Sequence, residues 1–316
     1  MRLVRAHERQ TRTQMAETER PGALGRWRLL AALAITLLAA VAPAAAARAG
    51  VMDQVQQNGV LVAGTRADSP PFGFTDRDGH LAGFSVDLLK DIAAALSEAL
   101  KRPVRLDLKP VTPESRTELI HSGQIQIECG ITTATWERLQ KADFSIPFFA
   151  NGTRILTHRR FGQGVEDLAG KRIAVVSGGT TRLAVVTAVP KAVIVEVPDM
   201  SQGMQLFRDG KIDGLSNIGI VLRGLLEQSD DKADLVMLPR AGAIQYEPLA
   251  CMLPREDSAW HDFVDRVIAK ELVGAPDYHG RYIELYNTWF GPGSTLPMPL
   301  DHTVIDRLVH AAYWID

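Results

Sequence analysis

From Val60 onward, short apolar runs alternate with helix-spaced ones, and the alternation occurs twice. Residues 60–65 read as a strand that ends at Gly64-Thr-Arg66. Residues 85–100 place Val86, Leu88, Leu89, Ile92, Ala93, Leu96 and Leu100 on one helical stripe. Residues 104–108 return as a strand, 114–122 as a helix and 124–129 as a third strand. This order implies a parallel sheet flanked by helices, because parallel neighbours need long crossovers that pack on the sheet. A second unit begins at Lys171, with strands over 172–176, 193–197 and 214–218 and helices over 182–189 and 202–209. After Ala250 the pattern turns helical, over 258–273, 276–290 and from about His302. The expected fold is α/β with two lobes. The chain would cross between them near residues 151–156 and 246–253.

The segment 128–145 carries the densest chemistry. A strand breaks at Gly130, Thr132 and Thr133 follow, and either threonine can cap a short helix bearing Arg138. Free N–H groups at a helix start, hydroxyls and a guanidinium around one point make an anion site. The arginine fork matches a carboxylate. A surface arginine on a plain strand–turn–helix is the other reading. Ligands of α/β sheets bind beyond the carboxyl ends of strands, and Arg66, Thr133 and Thr181 all follow strand ends.

These motifs resemble the family 3 periplasmic solute-binding proteins of ABC importers, and most nearly their glutamate/aspartate-binding branch. The resemblance runs from about Gly59 to about Gly291. It rests on Gly64-x-Arg66, Pro71-Phe72, Gly83-Phe-Ser85-x-Asp87, Glu128-Cys-Gly130, Thr132-Thr133, Glu137-Arg138, Gly152-Thr-Arg154, Ser177-Gly-Gly-Thr-Thr181, Cys251-Met-Leu253 and Trp289-Phe290. It implies the two-lobed type II periplasmic binding fold with the ligand cleft between the lobes. The expected organisation is leader and signal peptide over 1–49, first lobe over 50–152, second lobe over 153–248, and a return to the first lobe over 249–316. It also implies that Arg138 holds a ligand carboxylate with Thr133 and, across the cleft, Thr181. Arg66 and Arg116 would face a second carboxylate, and Phe72 would pack on the ligand. An amino acid or related small carboxylate and an ABC membrane permease are the implied partners.

Departures from the branch are informative. Where the family places an Asp for the ligand ammonium, this chain has Ile218; Ile131, Pro113 and Met200 replace other polar residues of the branch. Positive residues remain and the ammonium's partners have gone, so the expected ligand has one or more carboxylates and lacks an ordinary α-amine. The scaffold also hosts periplasmic dehydratases and lyases, which need an acid or base in the cleft. Glu128 and Asp68 are the candidates, and Glu128 reads as structural because the binding branch carries it too. The expectation is a binder without catalytic residues.

Other function classes have no support in the sequence. The eight histidines show no zinc spacing, residues 162–164 lack a P-loop lysine, and no basic stripe is interleaved with aromatics. No cofactor, metal or nucleic acid is expected. At the N-terminus, Arg26-Trp-Arg28 precedes fourteen uncharged residues and a small-residue stretch ending in Arg48-Ala-Gly50. This reads as a secretory signal peptide, with a retained anchor helix as the alternative. Export to the periplasm would put Cys129 and Cys251 in an oxidising space, as a candidate disulfide or as two buried thiols. The mature chain is expected to begin between about residues 45 and 51. N-terminal sequencing of exported protein checks this; a chain still carrying residues 29–42 contradicts it.

Overall fold

The computed structural model describes residues 49–312, apart from 228 and 301. The segment expected to be leader and signal peptide, residues 1–49, lies outside the described residues except for Ala49. Among the described residues, no helix is long and apolar enough to cross a membrane.

Helix α1 (Val51–Asn58) leads into β1 (Val60–Thr65). A small antiparallel sheet follows, made of β2 (Asp68–Ser69), β3 (Gly73–Thr75) and β4 (Leu81–Ala82). Next come α2 (Phe84–Leu100), β5 (Arg105–Pro110), α3 (Ser115–His121) and β6 (Ile127–Glu128). Strand β1 lies between β5 and β6 and runs parallel to both. The strand expected over 124–129 narrows to two residues, although the amides of Gln126 and Cys129 extend the pairing to Val62 and Gly64.

The next strand, β7 (Asp143–His158), is sixteen residues long. After it come β8 (Arg172–Val176), α4 (Thr181–Ala188), β9 (Val193–Val197), α5 (Met200–Arg208) and β10 (Gly214–Ile218). Helix α6 (Gly219–Glu227) and β11 (Leu235–Leu238) then lead to β12 (Gln245–Leu253). Helices α7 (Ser258–Leu272), α8 (Arg281–Phe290) and α9 (His302–Ala311) complete the fold. The helix expected over 276–290 is two elements, a 3-10 turn (Ala275–Asp277) and α8. Left-handed Tyr278 and Gly280, at φ 58° and 88°, separate them.

All nine strands of the main sheet connect through two. Its order is β5-β1-β6-β12-β7-β10-β8-β9, and β11 also pairs with β7. The first half of β7 pairs antiparallel with β12, and its second half pairs with β10 and β11. One lobe therefore holds β1, β5 and β6, the other β8 to β11, and β7 and β12 belong to both. The disulfide Cys129–Cys251, with Cα atoms 4.4 Å apart, ties the loop after β6 to β12.

The aromatic core sits in the first lobe. Phe72 is fully buried, with its ring 4.9 Å from Phe149 and 5.9 Å from both Phe84 and Phe290. The sequence reading of Phe72 as a ligand-packing residue does not hold in this arrangement, because the ring is spent on core contacts. Gly83 permits the packing: its φ is 135°, and a Cβ there would lie 2.2 Å from the Phe72 carbonyl oxygen. The amide of Ser85 donates to that same oxygen.

One buried acid stands apart from the cleft. Glu271 on α7 is 7% exposed, and its Oε1 has no partner. Burial pushes its carboxyl from 4.5 up to about 8, Asp91 adds to the rise, and Arg281 opposes it. The folded state thus keeps a proton that the unfolded chain releases, so stability should fall as pH rises from about 4.5 to about 8. Glu271→Gln should remove most of that fall, on the order of a few kcal/mol, in urea titrations at the two ends of the window. Phe72→Ala should cost about 3–5 kcal/mol of stability in the same assay. Any loss of ligand affinity in Phe72→Ala should scale with lost folding.

Candidate functional site

The C-terminal ends of β1, β6 and β8 and the crossing strand β12 converge on a cavity between the lobes. It is lined by Arg66, Pro113, Arg116, Ile131, Val176, Gly179, Thr180, Thr181, Asn217, Ile218 and Glu247. Its volume of about 30 Å³ makes it a narrow gap rather than a chamber of the size ligands commonly occupy. A larger cavity of about 500 Å³ lies against Tyr246, Tyr286 and Met298 and includes none of the expected site residues.

Arg66 follows β1 directly and is 1% exposed. Its Nε and Nη2 donate to Asp68 Oδ1 at 2.9 and 2.7 Å, while its buried Nη1 has no partner. The same carboxylate reaches the second lobe, where Asp68 Oδ2 accepts from the Met200 amide at 2.8 Å. Asp68 is thereby committed to structure and is no free acid.

Arg116 enters from α3 and is 2% exposed. Its Nη1 donates to Thr132 Oγ1 at 2.5 Å, and that hydroxyl donates to Glu128 Oε2 at 2.7 Å. Nη1 lies 3.9 Å from Glu128 Oε1, and Nε has no partner. Burial lowers the Arg116 guanidinium to about 9, Glu128 opposes the fall, and Arg138 and Arg66 add to it as neighbouring cations. Glu128 is the structural counterion of this group, in keeping with its sequence reading.

Arg138 opens a 3-10 helix (Arg138–Gln140). Neither Thr132 nor Thr133 caps it; Glu137 precedes it without a side-chain cap, and Thr135 Oγ1 accepts from the Arg138 amide at 3.2 Å. The sequence reading placed the cap two or three residues early because the short helix bearing Arg138 begins only at Arg138 itself. Thr132 and Thr133 are instead spent on side-chain bonds within the cleft. The guanidinium spans the lobes: Nη1 donates to the Thr133 carbonyl at 2.6 Å and Nη2 to the Gly178 carbonyl at 2.7 Å. Gly178 sits at φ +69°, a left-handed position open to glycine, in the turn before α4. Burial lowers the Arg138 guanidinium, and Glu128, Glu247 and Glu137 oppose the fall.

The structure thus brings Arg66, Arg116 and Thr181 to the cavity, while Thr133 lies behind Glu247, to which it donates. Arg138 lies at its edge, turned to the two carbonyls, and Phe72 lies elsewhere. Sequence reasoning missed Thr180, Asn217 and above all Glu247. It expected a cleft without an anion for an ammonium, yet the Glu247 side chain lines the gap, 2% exposed. Thr133 Oγ1 and Thr153 Oγ1 donate to it at 2.7 and 2.8 Å, and Thr180 Oγ1 donates to it as well. A lone acid heading the apolar run 248–253 was the available signal.

Comparison with known proteins bears on the family and the fold. The chain is 29% identical over 273 residues to the glutamate/aspartate import solute-binding protein of Escherichia coli K12, covering 82% of this chain and 87% of that one. It is 28% identical over 260 residues to the L-glutamate/L-aspartate-binding protein of Pseudomonas aeruginosa, covering 79% and 82%. An ancestral arginine-binding protein bound to glutamine superposes with a TM-score of 0.65 at 26% identity, over 74% of this chain and 99% of that one. The ancestral amino acid-binding protein AncCDT-1, a precursor of cyclohexadienyl dehydratase, superposes at 0.64 with 26% identity, over 76% and 99%. The family profile of the bacterial extracellular solute-binding proteins, family 3, matches residues 61–292, and the chain belongs to that family.

Proposed function

We infer that the protein is an exported periplasmic solute-binding protein of an ABC importer. It captures an amino acid or related small carboxylate by closing two lobes around it and presents it to a membrane permease. The observation that carries this reading is the Arg138 guanidinium, which reaches from one lobe to a carbonyl of the other beside a cavity lined by both. Its present acceptors are neutral carbonyls. A ligand carboxylate would replace them with a bidentate ion pair, in which the acceptor is charged as well as the donor. Arg66 Nη1 and Arg116 Nε, buried and without partners on two residues that line the cavity, are further donors a ligand could engage.

An enzyme on this scaffold is the second reading, favoured by the likeness to a dehydratase precursor and by a carboxylate in the cavity. Mass balance separates the two, since a binder returns its ligand unchanged after long incubation. Calorimetry against a panel of amino acids and small carboxylates tests the proposal. Arg138→Ala should weaken the best ligand by about 2–5 kcal/mol, since a buried carboxylate loses its partner. Arg138→Lys should recover only part of that loss, because the planar fork is gone. Near-native affinity in Arg138→Ala would remove the central residue from the site.

A further inference from the structure

Glu247 is a buried anion without a cation. Three threonine hydroxyls donate to its carboxylate, one from each lobe and one from the crossing strand β7. Among the described residues it forms no ion pair, whereas Arg66 pairs with Asp68 and Arg116 lies near Glu128. Neutral hydroxyls satisfy part of a carboxylate that offers about four acceptor positions, and Arg116 and Arg138 act on its charge through space without pairing with it. A buried charge in that condition is costly unless a cation arrives from outside the chain.

The rest of the cavity has the opposite character. Arg66 and Arg116, each with one buried nitrogen lacking a partner, line the same gap as Glu247. The cleft therefore has a negative pole on the crossing strand β12 and a positive pole on the first lobe. An amine-free dicarboxylate would meet the arginines well but would set a second anion against Glu247. A molecule with an ammonium at one point and a carboxylate at another matches both poles.

We propose that Glu247 recognises a protonated amine on the ligand, so that the site takes amino-acid zwitterions in preference to their amine-lacking counterparts. This rests on the reading of the cleft as the ligand site. The crossing strand thus supplies the anion that is missing at Ile218 of the second lobe. The geometry suits the role: Thr133 and Thr180 approach Glu247 from opposite lobes, so the ammonium partner is fully assembled only when the cleft is shut. It also replaces the sequence expectation of a ligand lacking an ordinary α-amine, which took Ile218 to leave the cleft without an anion.

Thermal shift and calorimetry on the native protein test it, with L-glutamate, L-aspartate and L-glutamine set against glutarate, succinate and glutaramate. The expected result is that at least one amino acid binds and its amine-lacking counterpart binds about 30-fold more weakly or worse. Glu247→Gln, which keeps the side chain's shape, should bring that ratio close to one. Equal binding of an amino acid and its counterpart by the native protein overturns the proposal, whether or not Glu247→Gln folds. So does a folded Glu247→Gln that keeps the ratio. If carboxylates bind without the preference, only the role of Glu247 falls. If no acid binds at all, the reading of the cleft falls with it.

Discussion

The antiparallel pairing of β7 with β12 is the constraint on which the rest of the molecule depends. Its register runs from Gln245 opposite Thr153 to Leu253 opposite Asp143, with irregularities around Leu249 to Met252. Bulges of this kind bend a strand and increase its twist while leaving the ladder largely intact. Each lobe's sheet is completed by these same two strands, through β6 on one side and β10 on the other. Motion of one lobe against the other must then act through φ/ψ changes in two adjacent strands, which favours opening and closing over sliding. Glu247 and Thr153 sit on those strands and so keep their place at the base of the cleft.

Three arginines around one small gap set the electrostatic problem. Two of them, Arg66 and Arg116, are almost wholly buried. Each is handled differently: Arg66 by a forked pair with Asp68, Arg116 by a hydroxyl relay to Glu128, and Arg138 by two backbone carbonyls. The arrangement leaves specific nitrogens without partners in a protein interior, where buried donors are otherwise nearly always satisfied. In a binding site such vacancies are functional, because a ligand oxygen that fills one gains a bond the fold did not supply.

Much of the architecture was legible in the sequence, because hydrophobic period and strand-ending glycines act locally. β1, β8, β9 and β10 lie where their apolar runs place them. Helix α6 and β11 were missed because 219–227 is apolar on most faces and 235–238 is too short to show a period. In the site, Arg66 and Thr181 were placed by strand ends and Arg116 only by the family resemblance, and the threonine that bonds the Arg138 amide is Thr135 rather than Thr132 or Thr133. Phe72 looked like a ligand contact because it adjoins the site in sequence, but its ring turns into the core. Glu247 showed in the sequence only as a lone acid ahead of an apolar run, for a physical reason. It lies 114 residues from Thr133 and 67 from Thr180, and only tertiary closure gives it partners.

The shut cleft explains why these vacancies and bonds must be weighed together. Three links cross between the lobes without any ligand: Asp68 to the Met200 amide, Arg138 to the Gly178 carbonyl, and Glu247 to Thr180. Each is a bond the open form would exchange for water, so each is worth about 1 kcal/mol net, somewhat more where a charge takes part. A ligand that binds between the lobes does not simply add its contacts to these. On the proposed function it would displace some of them, Arg138 first among them, and keep others, such as the Asp68 link outside the gap. Affinity is then the difference between bonds made to the ligand and bonds the empty cleft makes to itself. A site built this way discriminates by charge geometry, because a neutral or wrongly charged molecule gains little over the carbonyls it must replace.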